Sequence, residues 1–177
     1  MGRLIINLAM TVDGVIDVSD WFVAQGDHDD AARSLMEENT VLLVGRKNYE
    51  GFAGYWPTQT GAWADVLNPM KKYVVSRKPL GKLEWNAAAA PGDAVDVARR
   101  LKSEHDGTIL VSGAGELARQ LVESGVVDEL YFWIHPRIQG PGTRPYDAAT
   151  IPLRLIEAKQ FDTGVMLLRY QPLVASA

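Results

Sequence analysis

The stretch Ile109-Leu110-Val111-Ser112-Gly113-Ala114-Gly115-Glu116 joins an apolar run of strand length to a glycine-rich turn. Two other apolar runs end similarly: Val41 to Val44 leads into Gly45-Arg46-Lys47, and Lys72 to Val75 leads into Ser76-Arg77-Lys78. In an open α/β sheet, ligands bind outside the carboxyl ends of the strands, where glycines and helix N-termini can approach phosphate groups. Together the three strand ends predict a nucleotide-binding cleft.

The composition limits the class of protein. The chain has 177 residues, of which 47% are hydrophobic, and this suits one core, so we expect a single domain over residues 1–177. A net charge of −4 argues against nucleic acid as a partner, because such binding neutralises many phosphates. The absence of cysteine excludes disulfides, thiolate metal sites and a cysteine nucleophile. The apolar N-terminus is too short for a membrane span and lacks a signal-peptide cleavage site, so we expect a cytoplasmic protein without a membrane partner.

Apolar runs of strand length alternate with amphipathic stretches, which is typical of β-α-β units in a largely parallel sheet. Right-handed crossovers would place the helices on both faces, giving an α/β protein with three α/β/α layers. A turn signal at residues 161–165 predicts that the last two strands form an antiparallel hairpin at the sheet edge. The predicted strands are about residues 3–9, 40–44, 71–76, 108–112, 127–135, 153–161 and 165–171.

The helices have recognisable ends. Asp27 and Asp93 are predicted N-caps, and a third helix follows Gly115 and ends before Gly125, a predicted C′ residue. The stretches 11–26 and 52–63 are rich in Gly, Trp and turn formers and lack periodicity. We therefore expect both stretches to be substrate-facing loops.

The segment Gly113 to Ala118 matches the dinucleotide pattern G-x-G-x-x-A, although a tight strand-to-helix turn explains it equally well in isolation. A standard Rossmann domain is rejected, because the acids Asp128 and Glu129 stand at the beginning of the next strand instead of its end. Solvated surface turns likewise explain the two cationic strand ends when each is taken alone. Their coincidence at corresponding strand ends favours a cofactor site, and the charge at Arg77 favours NADPH over NADH.

Several motifs, in order along nearly the whole chain, resemble the bacterial dihydrofolate-reductase-like family. The branch concerned is related to the C-terminal reductase domain of the bifunctional riboflavin-biosynthesis protein. The resemblance implies a dihydrofolate-reductase-like fold and an NADPH-dependent oxidoreductase that transfers hydride to a small heterocycle of pterin, pyrimidine or flavin-precursor type. The matching segments are residues 11–16, 42–50, 74–77, 112–117, 126–130, 133–136 and 140–142.

By position, the resemblance also implies roles for individual residues. Asp13 would lie beside the substrate or the nicotinamide ribose, and Asp29 or Asp30 would hold the place of a proton-donating acid. Asn48 departs from the family pattern, which more often has threonine facing a phosphate. The implied cofactor-binding residues are Val15 and Ile16 near the nicotinamide, Gly45, Arg46 and Lys47 at the pyrophosphate, Ser76 and Arg77 at the adenosine and 2′-phosphate, and Gly113, Ala114, Gly115, Glu116 and Leu117 at the remaining phosphates.

Each of the catalytic and substrate-pocket assignments has an alternative. Asp13 also suits a simple Asp-Gly turn, Asp29 suits the acidic start of a helix, and solvent could supply the proton instead. Aromatic walls for a planar substrate are expected at Trp21, Trp56 and Trp63, although each could equally cap the core. No metal site is predicted, because the acids near Asp29 are adjacent instead of spaced for one helix face.

Two further alternatives concern the whole protein. The main rival to the reductase is a dinucleotide-binding regulatory module without turnover, while true dihydrofolate reduction and reduction of the riboflavin precursor's ribosyl group are rival enzyme activities. A predicted edge strand that carries Tyr131, Phe132 and Trp133 would benefit from cover, and this favours a homodimer.

Overall fold

The computed structural model describes residues 1–113, 115–146 and 150–173. The middle layer of the protein is one eight-stranded sheet. The spatial order of the strands is β4-β3-β2-β5-β1-β6-β8-β7. The first six strands in this order are parallel, and β8 and β7 are antiparallel to their neighbours, so the predicted sheet with its C-terminal hairpin is confirmed. The strands are β1 (Arg3–Thr11), β2 (Asn39–Gly45), β3 (Lys71–Val75), β4 (Ala87–Ala89), β5 (Thr108–Ser112), β6 (Glu129–His135), β7 (Leu153–Gln160) and β8 (Met166–Pro172).

Helices cover both faces of the sheet, as the alternating pattern predicted. They are α1 (Asp27–Glu37), α2 (Arg46–Tyr55), α3 (Ala62–Leu67), α4 (Ala94–Glu104) and α5 (Glu116–Glu123), with a 3₁₀ turn over Trp56–Thr58. Helices α4 and α5 pack on one face, and α1, α2 and α3 contribute to the core on the other. Alternate residues of the central strands supply the two cores, as for Ile5 on one face and Leu4 and Ile6 on the other. The sheet therefore lies between two helical layers, which is a three-layer α/β/α arrangement.

Two predictions from the sequence are wrong, the loop at residues 52–63 and the N-cap at Asp27. The stretch 52–63 is mostly helical instead of a loop, because α2 extends to Tyr55 and α3 begins at Ala62. Asp27 is the first residue of α1, whose N-cap is Gly26, and the Asp27 carboxylate accepts a hydrogen bond at 2.8 Å from the backbone N–H of Asp162. Asp27 therefore fastens α1 to the turn of the C-terminal hairpin, and from the first helical position it also accepts a hydrogen bond at 2.9 Å from the backbone N–H of His28.

Two other helix ends are confirmed. The Asp93 side chain accepts a hydrogen bond at 2.9 Å from the backbone N–H of Val95, so Asp93 is the N-cap of α4. Gly125 follows the C-cap Ser124 with a φ of 71°, the left-handed conformation that a C′ glycine adopts easily.

The predicted edge strand is misplaced. Strand β6, which carries Tyr131 and Trp133, lies between β1 and β8, and both side chains are buried. The two edge strands are β4 and β7, and all eight residues of β7 are exposed. A homodimer stays a prediction, and the surface that would benefit from cover is β7. Within the described ranges, no helix has the length and apolar character needed to cross a bilayer.

Candidate functional site

A cavity of about 450 Å³ opens at the carboxyl ends of β2, β3 and β5. These strands are adjacent and parallel, so the turns that follow them meet at one edge of the sheet. Ala114 lies outside the described residues, and the other predicted phosphate-site residues all line the cavity: Gly45, Arg46, Lys47, Ser76, Arg77, Gly113, Gly115, Glu116 and Leu117. The structure thus brings together the three strand ends that the sequence singled out.

Two helix N-termini face this cavity without a capping side chain. Helix α2 begins at Arg46 after the N-cap Gly45, and α5 begins at Glu116 after the N-cap Gly115. Since a glycine N-cap has no side chain to accept from the first turn, N–H groups at both helix starts are available to a ligand. Helix α2 also carries Arg46 and Lys47 in its first turn and no acid there, an arrangement that the helix dipole disfavours unless an anion lies close by.

The turn after β5 is held by Asn48. The Asn48 side-chain Nδ2 donates a hydrogen bond at 3.0 Å to the carbonyl of Ser112, which fastens the first turn of α2 to the end of β5. Gly113 has a φ of 104°, and a Cβ atom there would lie 2.5 Å from Asn48 Nδ2. The Asn48 amide, expected to face a phosphate, thus supports the turn in this structure.

Positive charge predominates at the cavity. Four cations line it, Arg46, Lys47, Arg77 and Lys78, against the two carboxylates of Asp93 and Glu116. Asp93 is already used as the N-cap of α4. Among the described residues, Arg46 pairs with Glu50 at 3.4 Å and Arg77 pairs with Glu116 at 2.9 Å, whereas Lys47 and Lys78 form no ion pair.

The hydroxyl of Ser76 is engaged in its own turn. It accepts a hydrogen bond from the backbone N–H of Lys78 at 3.1 Å and donates one to the Lys78 carbonyl at 2.8 Å. These bonds fix the start of the cationic segment Ser76-Arg77-Lys78 beside the end of β3. The cavity thus has a rigid turn from which the Arg77 and Lys78 side chains extend.

Asp13 lies outside this cavity, in the loop after β1. The Asp13 carboxylate accepts hydrogen bonds from the Thr11 hydroxyl at 2.6 Å and from the backbone N–H groups of Gln139 and Gly140 at 3.0 and 2.8 Å. It also pairs with Arg144 at 3.2 Å. These hydrogen bonds hold the pKa of Asp13 well below its usual range, and the bond from Thr11 has the largest effect. This geometry suits an anchor between the loops 11–17 and 137–144, and the catalytic role stays a prediction.

Replacing Asp13 with asparagine distinguishes the two roles. An anchoring role predicts that Asp13→Asn lowers the melting temperature by a few degrees, because the pair with Arg144 and one charged acceptor are lost, while kcat changes little. Thermal unfolding and steady-state kinetics would measure both quantities. Asp20→Asn is the control, since Asp20 makes exposed contacts, a 3.4 Å pair with Arg137 and a 3.2 Å hydrogen bond from the Ser19 hydroxyl. A large fall in kcat without a change in melting temperature would instead support a catalytic Asp13.

The remaining predicted site residues also lie away from the cavity. Val15 is buried, and the backbone N–H of Ile16 donates to the Thr143 carbonyl at 3.0 Å. Trp21 is only 4% exposed and packs edge-on against His135. Trp63 Nε1 donates to Asp29 Oδ1 at 3.0 Å, joining α3 to α1.

Trp56 is half-buried and packs against the core under α1, α2 and α3. The substrate-pocket roles of Trp21, Trp56 and Trp63 and the catalytic role of Asp29 stay predictions. In the part of the chain that the structure describes, no group of three or more His, Asp or Glu side chains could hold a metal ion.

Sequence reasoning missed one wall of the cavity. Gly92, Asp93 and Ala94, at the start of α4, also line it. The cap at Asp93 was visible in the sequence, but strand β4, which leads the chain to this point, was not. Without β4 the start of α4 could not be placed at the same edge of the sheet.

The parallel sheet between helical layers, closed by an antiparallel hairpin, defines a domain with the dihydrofolate-reductase-like fold. A profile of the RibD C-terminal domain family matches residues 3–167, and the chain belongs to that family. The resemblance found in the sequence is therefore confirmed.

Individual relatives extend over the whole domain. The uncharacterized protein YyaP of Bacillus subtilis (strain 168) is 26% identical over 180 residues, covering 95% of this chain and 94% of YyaP. The structure of a protein from Shewanella sp. PV-4, provisionally assigned to riboflavin biosynthesis, aligns with a TM-score of 0.77 at 15% identity, over 96% of this chain and 98% of that one. The Thermotoga maritima diaminohydroxyphosphoribosylaminopyrimidine deaminase/5-amino-6-(5-phosphoribosylamino)uracil reductase aligns with a TM-score of 0.70 at 15% identity, over 97% of this chain and 56% of the longer one.

Proposed function

We propose that this protein is an NADPH-dependent oxidoreductase that transfers hydride to a small heterocycle of the pyrimidine type. One observation carries the proposal: two uncapped helix N-termini and four cations converge on a single cavity. This donor set suits the phosphates of a dinucleotide. Membership in the RibD C-terminal domain family supports reductase chemistry, and the Thermotoga maritima relative is named as a 5-amino-6-(5-phosphoribosylamino)uracil reductase.

The residues around the cavity divide into two groups by position. The N-terminus of α2 with Arg46 and Lys47, and the N-terminus of α5 after Gly115, would hold the pyrophosphate. The segment Ser76-Arg77-Lys78 would hold the adenosine side, where the cations favour a 2′-phosphate. The nicotinamide dinucleotide, when bound, supplies the hydride.

The register of the sheet supports a substrate site beside the cavity. Asn7 of β1 pairs with Ser112, the last residue of β5, but β1 continues to Thr11 alongside β6. Four further residues of strand extend roughly 13 Å. The ends of β1 and β6 thus form a wall beside the dinucleotide cavity, and the substrate would lie against it, near the loop that carries Val15 and Ile16.

Calorimetric titration with NADPH and NADH, side by side, tests the proposal. We expect NADPH to bind more tightly, and NADPH to be oxidised steadily in the presence of a suitable pyrimidine. Steady oxidation would exclude a regulatory module without turnover. Failure of the protein to bind either dinucleotide would overturn the proposed function.

Replacing Arg77 tests whether its guanidinium binds the 2′-phosphate. We expect Arg77→Ala to weaken NADPH binding by about 10- to 100-fold, the value of a charged hydrogen bond to phosphate, and NADH binding by less than about twofold. Arg119→Ala is a matched control, because Arg119 forms a comparable exposed ion pair with Glu123 on α5 and does not line the cavity. Equal weakening of both dinucleotides would remove Arg77 from the 2′-phosphate site.

A further inference from the structure

An ion pair crosses the mouth of the cavity. Arg77 follows β3, Glu116 is the first residue of α5, and Arg77 Nη2 lies 2.9 Å from Glu116 Oε2. Both residues line the cavity, and their side chains are 83% and 50% exposed. The guanidinium that the proposed function assigns to the 2′-phosphate is therefore already bound to a carboxylate of the same chain.

The side chain of Glu116 does not suit the phosphate-binding role implied by the family resemblance, so that role would fall to the backbone at the start of α5. A carboxylate can only accept hydrogen bonds, so it cannot donate one to a phosphate oxygen, and its charge repels the phosphate. Glu116 Oε1 accepts a hydrogen bond at 3.1 Å from Gln120 Nε2, one turn along α5. This bond, together with the position at the positive end of the helix, holds the carboxylate at the cavity.

We infer that Glu116 competes with the 2′-phosphate of NADPH for Arg77, and thereby limits both the affinity for NADPH and the preference over NADH. The inference rests on the proposed function. An exposed ion pair contributes little free energy, so a ligand can displace it. A guanidinium binds a phosphate in a bidentate manner, which makes the exchange favourable.

NADH would be affected much less, because it lacks the phosphate that needs Arg77. Glu116 thus acts through Arg77 as a residue that sets specificity. Without the Glu116 carboxylate, Arg77 would be unpaired before the ligand binds. Discrimination between NADPH and NADH would then increase.

The experiment is a calorimetric titration of the full chain with NADPH and with NADH. The variants are Glu116→Gln, Arg77→Ala and the double variant. We expect Glu116→Gln to tighten NADPH binding by about two- to fivefold and to leave NADH binding nearly unchanged. In the Arg77→Ala background the same substitution should give a clearly smaller gain, because only the direct repulsion between the carboxylate and the phosphate remains.

Glu123→Gln is the matched control for the change in charge. Glu123 is also on α5, pairs with Arg119 at 3.4 Å, and has a side chain that is 42% exposed, but it does not line the cavity. Glu123→Gln should leave the affinity for both dinucleotides unchanged.

Three results would contradict the inference. If wild-type protein prefers NADPH but Glu116→Gln binds it no more tightly, the competition is absent while the proposed function stands. If both dinucleotides gain equally and the gain persists without Arg77, Glu116 acts by general repulsion. If no form of the protein binds either dinucleotide, the proposed function fails and the inference fails with it.

Discussion

Replacing Gly113 by alanine is expected to destabilise the protein by about 2 to 4 kcal/mol. The φ of 104° is a conformation that residues with a Cβ rarely adopt, and the new methyl group would overlap Asn48 Nδ2 at 2.5 Å. Relief of the overlap would require Asn48 to release the Ser112 carbonyl, which separates α2 from the end of β5. Urea unfolding would measure the loss, and calorimetry would show weaker NADPH binding because the cavity wall is displaced.

Gly115→Ala is the matched control in the same turn. Gly115 has a φ of −75°, and a Cβ atom there would meet nothing within 4 Å, so the free energy of unfolding should change by less than about 1 kcal/mol. The added methyl group would lie at the cavity, where a phosphate must approach the backbone, so NADPH binding should weaken without a loss of stability. Wild-type stability in Gly113→Ala would show that the turn adapts and that Asn48 is not a rigid neighbour.

The fold was predictable where buried strands carry their own signal. Leu42, Leu43 and Val44 are apolar on both faces because helices cover both sides of the sheet, and such runs are found in parallel strands. Strand β4 was not predicted because it consists of Ala87, Ala88 and Ala89, which have low strand propensity. Its pairing with β3 depends on tertiary context. The helical end of α2 was predicted as part of a loop, since Gly51 and Gly54 lower helix propensity there.

The position of the cavity was predictable because it depends on topology. Residues that directly follow adjacent parallel strands must meet, whatever their side chains do. The role of Asp13 depends instead on partners such as Gly140 and Arg144, more than 120 positions away in the chain. Periodicity does not indicate which way a loop side chain such as Trp21 points, and only the structure shows that it packs against His135.

His135 forms the centre of an aromatic cluster at the end of β6, in which Trp21 and His28 are also buried and Phe22 is exposed. Its side chain is 3% exposed, and its ring centroid lies 5.1 Å from that of Trp21, 5.3 Å from that of Phe22 and 5.5 Å from that of His28. His28 is itself held by the Val23 carbonyl and the Thr163 hydroxyl, each at 2.8 Å. The cluster therefore joins β6, α1 and the turn of the C-terminal hairpin.

Mild acid is expected to destabilise the protein through His135. Burial, with a smaller contribution from the neighbouring His28, lowers the pKa of His135 from 6.5 to about 4. Between these values the unfolded chain binds the proton and the folded chain does not, so the free energy of unfolding falls as the pH decreases from 6.5 towards 4. The fall attributable to this group should reach about 2 to 3 kcal/mol and then level off.

The comparison that isolates this effect is between wild type and His135→Phe, which keeps a flat ring in the cluster but cannot be protonated. Urea unfolding at pH 7, 5.5 and 4.5 would give the difference in stability between the two proteins, in which the contributions of Asp13, Asp27 and the other carboxylates cancel. We expect this difference to move in favour of the phenylalanine variant as the pH falls, whatever its value at pH 7. A difference that stays constant across the range would mean that His135 accepts a proton inside the folded protein without cost, and that the cluster opens to water.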